Sequence, residues 1–209
     1  MIETLFQEIE AANKKTLGWA SLQKQIALAA AIVTLRPNYS LEIGVWCGKS
    51  FIPMAMAHRA VANGIAIGVD PWLPAASAAN EVKANVDWWG NLDHEWAFRT
   101  FTERLTELAL PVWAQVNRMD SSIYNPPDGI GVLSIDGNHG PQAILDVERY
   151  APKVSLGGLV FMDDTRWEGG NVTKAINLLP TMGFEKVYAV QNHDKGGSDD
   201  WAVFERMKT

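Results

Sequence analysis

The chain has 209 residues, a formal net charge of −6 and one cysteine. This length suffices for one domain with a sizeable core, and no linker-like stretch divides it, so we expect a single domain over residues 1–209. The acidic balance without a basic run argues against a nucleic-acid partner and favours a small molecule. One cysteine excludes an internal disulfide, which suits a reducing compartment.

The longest apolar run near the N-terminus is too short for a membrane helix. It covers residues 26–35 and follows polar sequence, so it is also misplaced for a signal peptide. We therefore expect a cytoplasmic protein with no membrane partner. A homo-oligomer is compatible with the sequence, but no pattern specifies one.

Helical and strand patterns alternate along the chain. Segment 1–36 is predicted to be helical, because Leu22, Ile26, Ala29 and Val33 repeat with the period of one helix face. Further helices are predicted at 50–62, 141–150 and 172–179. The predicted strands are 41–43, 65–69, around 112–116, 131–135, 159–162, 187–190 and 201–205.

This alternation predicts a Rossmann-like α/β domain with a seven-stranded, mostly parallel sheet and helices on both faces. The last two strands are joined by a polar loop with no room for a crossover helix, so the last strand is predicted to be antiparallel. Ligands of such sheets bind at the carboxyl ends of the strands. Functional residues are therefore expected there.

An acidic residue stands at the carboxyl end of each of the first five predicted strands. These residues are Glu42, Asp70, Asp120, Asp136 and the pair Asp163-Asp164. Aspartate is a common turn residue and helix cap, but five acidic ends in succession favour a function. Asp70 lies about twenty residues past a glycine loop, like the acid that accepts a ribose hydroxyl in nucleoside-binding folds.

Asp136, Asp163 and Asp164 follow two strands that should be neighbours. Converging carboxylates need protonation or a divalent cation, and an all-oxygen set favours Mg²⁺, with Mn²⁺ or Ca²⁺ as alternatives. Asp164 is instead a helix cap or a partner of Arg166 if no metal binds. His139, three residues past Asp136, is a candidate general base because its ordinary pKa lies near neutrality, although a lone histidine is more often structural.

The loop Gly-Val-Trp-Cys-Gly-Lys-Ser at 44–50 resembles two nucleotide-binding loops and fits neither. A P-loop needs four residues between its first glycine and Gly-Lys-Ser, whereas Gly44 and Gly48 leave three. A dinucleotide fingerprint needs glycines where Trp46 and Lys49 stand. A P-loop-like NTPase and a hydride-transfer enzyme are therefore disfavoured.

Four segments together resemble class I S-adenosylmethionine (SAM)-dependent methyltransferases, and most closely the metal-dependent small-molecule O-methyltransferases of the catechol and macrolide-sugar types. The segments are 42–50, 68–72, 134–139 and 157–164, and the resemblance runs from about residue 18 onward. It implies SAM as methyl donor, a divalent cation and a hydroxyl acceptor, such as a vicinal diol on a sugar or an aromatic natural product. A metal-independent methyltransferase and a non-catalytic SAM-binding module stay open as alternatives.

The resemblance also implies a role for each candidate residue. Donor-binding residues would be Glu42, Gly44, Trp46, Ser50, Asp70, Asp120, Ser121 and Asp136. Asp136, Asp163 and Asp164 would hold the cation, and His139 would be the base. The sequence differs from the catechol enzyme at two positions, where Asp164 replaces an Asn and Asn138 replaces a Trp. The resemblance therefore does not specify the identity of the acceptor.

A tryptophan-rich insertion follows the second predicted strand at 73–113. Five of the nine tryptophans lie between residues 72 and 113. The insertion is either a lid whose rings stack on the acceptor or an extra helix packed on the core.

Overall fold

The structure, a computed structural model, describes residues 2–81, 83–167, 169–190 and 200–208. The α-helices of these residues are α1 (Ile2–Asn13), α2 (Leu22–Leu35), α3 (Phe51–Val61), α4 (Pro74–Ser77), α5 (Lys83–Gly90), α6 (His94–Glu107), α7 (Gln142–Tyr150) and α8 (Asn171–Leu178). The strands are β1 (Tyr39–Ile43), β2 (Ile65–Asp70), β3 (Ala114–Arg118), β4 (Ile130–Ile135), β5 (Val154–Met162), β6 (Phe184–Val190) and β7 (Trp201–Arg206). No helix among them has the length and apolar character needed to cross a membrane.

The seven strands form one sheet in the order β3-β2-β1-β4-β5-β7-β6. Strands β1 to β5 are parallel, and β7 runs antiparallel to both β5 and β6. The predicted fold, including its antiparallel last strand, is confirmed. The strand order reverses between β1 and β4, and the crevice at such a point is where ligands of open α/β sheets bind.

Helices cover both faces of the sheet. One apolar core lies under α1, α2, α3 and α6 and contains Leu28, Phe51 and Phe101. The other lies under α7 and α8 and contains Val147 and Ala175. The outer strand β6 is largely exposed, whereas every residue of the central strand β4 is buried.

Strands β1 and β4 begin within two residues of the predicted positions, at Tyr39 and Ile130, and three other strands also begin at residues other than those predicted. Strand β3 begins at Ala114 because Pro111–Trp113 forms a 3-10 turn, and β5 and β6 begin earlier, at Val154 and Phe184. The predicted loop between the last two strands, with His193, lies outside the described residues except for Asp200.

The face of α2 that packs inward also differs from the face predicted. Ser21 caps the helix by accepting a hydrogen bond from the backbone N–H of Lys24. The fully buried residues on this helix include Lys24, Gln25 and Leu28, whereas Leu22 and Val33 are only half-buried. Apolar periodicity misplaced the face because two of its most buried residues are polar.

Candidate active site

A cleft opens at the carboxyl ends of β1, β2, β4 and β5. The predicted site residues that line it are Gly44, Trp46, Ser50, Asp70, Asp120, Ser121, Asp136, His139, Asp163 and Asp164. Glu42 lies below the cleft, fully buried, and receives a hydrogen bond from the hydroxyl of Ser134. Burial raises the pKa of Glu42 to about 7, against the opposing effects of Lys24, Ser50 and Ser134.

The first loop can approach β4 closely only because residue 44 is a glycine. Gly44 has a φ of 82°, and a Cβ there would lie 2.1 Å from the carbonyl oxygen of Asp136. The backbone N–H of Asp136 in turn donates to the carbonyl of Ile43 at 2.9 Å. The loop after β1 and the residues after β4 therefore form adjacent walls of the cleft.

Asp70 holds the same loop from the other side. Its Oδ2 accepts the backbone N–H groups of Val45 (2.9 Å) and Trp46 (3.0 Å), and its Oδ1 accepts that of Trp72 (2.7 Å). Three of the roughly four acceptor positions of this carboxylate are thus used within the protein. The ribose role of Asp70 stays a prediction, with room on Oδ1 for one further donor.

The buried carboxylate of Asp146, which the sequence did not single out, lies at the far end of the cleft. Gln142 on α7 donates to Oδ1 of Asp146 (2.9 Å) and to the hydroxyl of Ser121 (3.1 Å). Oδ2 of Asp146 has no hydrogen-bond partner among the described residues. Burial raises the pKa of Asp146 to about 6, although Ser121 and Gln142 oppose the shift.

The acidic centre at the ends of β4 and β5 contains a lysine. Lys24 extends from α2 so that its Nζ lies 2.8 Å from Oδ2 of Asp136 and 2.5 Å from Oδ2 of Asp163. Burial raises the pKa of Asp163 to about 7 and Asp136 adds to this, whereas Lys24 lowers it. Lys24 therefore offsets the electrostatic repulsion between the carboxylates of Asp136 and Asp163.

His139 lies between two carboxylates and against an indole ring. Its Nε2 is 2.8 Å from Oδ2 of Asp164, its Nδ1 is 3.6 Å from Oε1 of Glu81, and its ring centroid is 4.1 Å from that of Trp167. Burial lowers the pKa of His139, but Asp164, Asp136 and Glu81 outweigh it and raise the pKa overall. Neither ring nitrogen makes a well-directed hydrogen bond to a described residue.

The residues that converge as ligand candidates differ in part from the predicted metal set. One ligand atom each from Asp136, His139 and Asp164 lies within 4.8 Å of the others. The 2.8 Å separation of the His139 nitrogen and the Asp164 oxygen, without an aligned hydrogen bond, suits two ligands of one ion. This donor set fits a divalent cation, with Asp163 turned toward Lys24.

The upper wall of the cleft is aromatic. Trp19, Trp46 and Trp89 form a triangle with centroid separations of 6.3, 5.6 and 5.5 Å, and His94 packs edge-on against Trp46 at 5.2 Å. Trp46 has a φ of 50°, which is rare for a bulky residue. The loop contacts of its backbone and the packing of its ring stabilise this conformation together.

Of the five tryptophans between residues 72 and 113, only Trp88 and Trp89 line the cleft. Trp72 is buried in the core, and Trp113 packs against that core. The other indoles at the cleft come from elsewhere in the chain, namely Trp19, Trp46 and Trp167. Whether the insertion moves as a lid stays a prediction.

Residues 41–165, more than half of the chain, match the sequence model of a family described as a methyltransferase domain. Comparison with curated proteins found no match.

Several solved structures share the fold at low identity. TomG from Streptomyces achromogenes, an O-methyltransferase involved in tomaymycin synthesis and solved with SAM, has a TM-score of 0.65 and 13% identity, over 98% of this chain and 90% of its own. The O-methyltransferase NovP has a TM-score of 0.66 and 16% identity, over 96% and 80%. An O-methyltransferase from Bacillus cereus solved with S-adenosylhomocysteine (SAH) has a TM-score of 0.62 and 13% identity, over 98% of this chain and 91% of its own.

Proposed function

This chain belongs to the methyltransferase-domain family, and from that premise we propose that it transfers a methyl group from SAM to a hydroxyl of a small molecule. The observation that carries the proposal is one continuous cleft joining the glycine loop to the acidic centre with His139. SAM or SAH bound to the similar structures of TomG and the Bacillus cereus enzyme supports the choice of donor.

The donor would lie along the loop at Gly44 and Trp46, with its adenine at Ser121. The backbone there is exposed to the cleft because no side chain stands at residue 44. Trp46 offers a π face to a sulfonium cation. The unpaired Oδ2 of Asp146 suits the exocyclic amino group of adenine, which is a hydrogen-bond donor in need of an acceptor.

The acceptor would bind between the aromatic wall and His139. Trp19, Trp89 and Trp167 supply flat apolar surfaces, which favour an aromatic ring or the apolar face of a sugar. The carboxylates below favour a vicinal diol, because two adjacent oxygens can bind one cation.

A divalent cation would be held by the oxygens of Asp136 and Asp164, which leaves His139 as the proton acceptor. An all-carboxylate set of this kind favours Mg²⁺. When bound, such an ion lowers the pKa of the acceptor hydroxyl and orients it.

His139 receives the hydroxyl proton, and Asp164, 2.8 Å away, stabilises the imidazolium that results. The aromatic wall and the loop hold the acceptor oxygen in line with the methyl group and exclude water. A metal-independent enzyme is the second candidate, because Lys24 already neutralises part of the acidic centre.

The proposal is tested by methyl transfer from labelled SAM to a panel of catechols and sugar diols, with and without chelator. We expect transfer that chelator abolishes, and an Asp164→Asn variant that loses the metal-supported transfer but still binds SAH. Full activity in chelator would remove the cation from the mechanism. SAH binding without transfer to any hydroxyl would leave a donor-binding module.

A further inference from the structure

Lys24 places an ammonium group inside the acidic centre. Its side chain is 1% exposed, and α2, from which it extends, packs on the sheet beside β4. The two carboxylate oxygens that it contacts belong to different strand ends, at Asp136 and Asp163. Lysine is rarely buried unless it is paired, so this contact is a built feature of the fold.

The charges around Lys24 keep it an ammonium ion. Burial acts to lower its pKa, but Asp136, Asp163 and Glu42 raise it well above the ordinary value. The Lys24 Nζ thus lies between two carboxylates of the predicted metal set, 2.8 Å from one and 2.5 Å from the other.

We propose that Lys24 is the built-in cation of this centre, and that its ammonium takes the place between Asp136 and Asp163 where a divalent ion would otherwise bind. Divalent binding in the native protein is then confined to the oxygens of Asp136 and Asp164, on the side that faces His139. This inference rests on the proposed function only for the location of the ion. Lys24 acts here as a positioning residue, because it holds two carboxylates and contacts no reacting atom.

Replacing Lys24 with an uncharged residue of similar length should open this second place to a metal ion. In Lys24→Met, two buried carboxylates lose their cation, and we expect Mn²⁺ to bind at least about tenfold more tightly than in the native protein, or with one further equivalent. Titration calorimetry and Mn²⁺ electron paramagnetic resonance measure both quantities without turnover. Unchanged Mn²⁺ binding in a Lys24→Met protein that still binds SAH would overturn the inference.

Lys49→Met is the matched control. Lys49 lines the same cleft, but its Nζ donates to the carbonyl oxygens of Asn13 (2.8 Å) and Thr16 (2.6 Å) and to no carboxylate. Loss of this charge should leave Mn²⁺ binding within about twofold of the native value, because no pair of acids is exposed by it. An equal gain in Mn²⁺ affinity in both variants would show that the overall charge of the cleft sets the affinity. That result would contradict a local role for Lys24.

A folding defect in Lys24→Met is itself informative, because uncompensated buried charge destabilises a protein. We then expect Mn²⁺ to raise its melting temperature more than that of the native protein, and Lys24→Met/Asp163→Asn to fold without the ion. Absence of any rescue by Mn²⁺ would overturn the inference and assign Lys24 to packing. SAH binding and methyl transfer are read separately, so failure of the proposed function is not confused with failure of this one.

Discussion

The carboxylate of Asp70 fixes the backbone of Trp46 in the left-handed region. Oδ2 accepts the N–H of Trp46 at 3.0 Å, and the indole N–H of Trp72 donates to the carbonyl of Trp46 at 2.9 Å. Both polar backbone groups of a residue at an unfavourable φ are thereby satisfied, which stabilises the conformation that points the ring toward Trp19 and Trp89.

Asp70→Asn should weaken the loop itself as well as donor binding. An amide offers one acceptor oxygen in place of two, so at least one backbone N–H loses its partner, and we expect a loss of about 1–3 kcal/mol in unfolding free energy. Denaturant unfolding of the donor-free protein measures this. Unchanged stability would show that the contacts of Asp70 with the loop contribute little.

One ribose hydroxyl, not two, should depend on Asp70. Only one acceptor position on Oδ1 is left by the backbone contacts. The affinities of SAH, 2′-deoxy-SAH and 3′-deoxy-SAH are measured for the native protein and for Asp70→Asn. For one of the two deoxy compounds, the loss of affinity relative to SAH should disappear in the variant. Retention of both losses would exclude Asp70 from ribose binding.

The aromatic wall should act on acceptor binding. Trp89→Leu removes a ring that packs 5.6 Å from Trp19 and 5.5 Å from Trp46, so we expect the KM for the acceptor to rise about three- to tenfold with little change in SAH affinity. Trp96→Leu, on α6 and outside the cleft, is the control and should leave KM unchanged. An equal effect of both changes would argue that the insertion only packs on the core.

The mostly parallel sheet and the residues at its strand ends could be predicted because they depend on local patterns. Apolar runs alternating with helical periods specify a parallel sheet, and the residues after β4 and β5 must then share one edge. The family resemblance, carried by segments such as 42–50, is confirmed by the match over 41–165. These features need no knowledge of how distant side chains meet.

The partners of the acids could not be predicted, because they come from distant parts of the chain. Lys24 lies 112 residues before Asp136, and no sequence pattern connects the two. Glu81 and Trp167 reach His139 from the insertion and from the loop after β5. Lys24 is the one charged residue of α2, and a single charge in an otherwise mostly apolar helix is the pattern that could have indicated a buried ion pair.

Donor binding should depend on the ionised form of Asp146. The pKa of this carboxyl is raised to about 6, so it takes up a proton near pH 6 in the donor-free protein. A protonated carboxyl accepts hydrogen bonds weakly, and SAH affinity should fall below pH 6 by up to about tenfold per pH unit. Calorimetric titration with SAH from about pH 5 to about pH 8, a range that spans this pKa, measures the dependence.

Asp146→Asn is the test of that assignment. We expect SAH to bind about tenfold more weakly at neutral pH, with the pH dependence largely lost, because a charged acceptor is gone. Stability should move the other way. A folded-state pKa above the unfolded value means that native stability falls as pH rises through this range, so the uncharged variant should melt at an equal or higher temperature at neutral pH. A variant that binds SAH normally would exclude Asp146 from adenine recognition.

One variant and two measurements distinguish His139 as the proton acceptor from His139 as a metal ligand. His139→Ala removes the proposed proton acceptor, and we expect kcat to fall about 10²- to 10⁴-fold while SAH affinity and the KM for the acceptor change little. Added imidazole should restore part of the rate. Mn²⁺ affinity should stay within about threefold of the native value if Asp136 and Asp164 hold the ion through their oxygens. A large loss of Mn²⁺ affinity without rescue by imidazole would make His139 a ligand and require another group to take the proton.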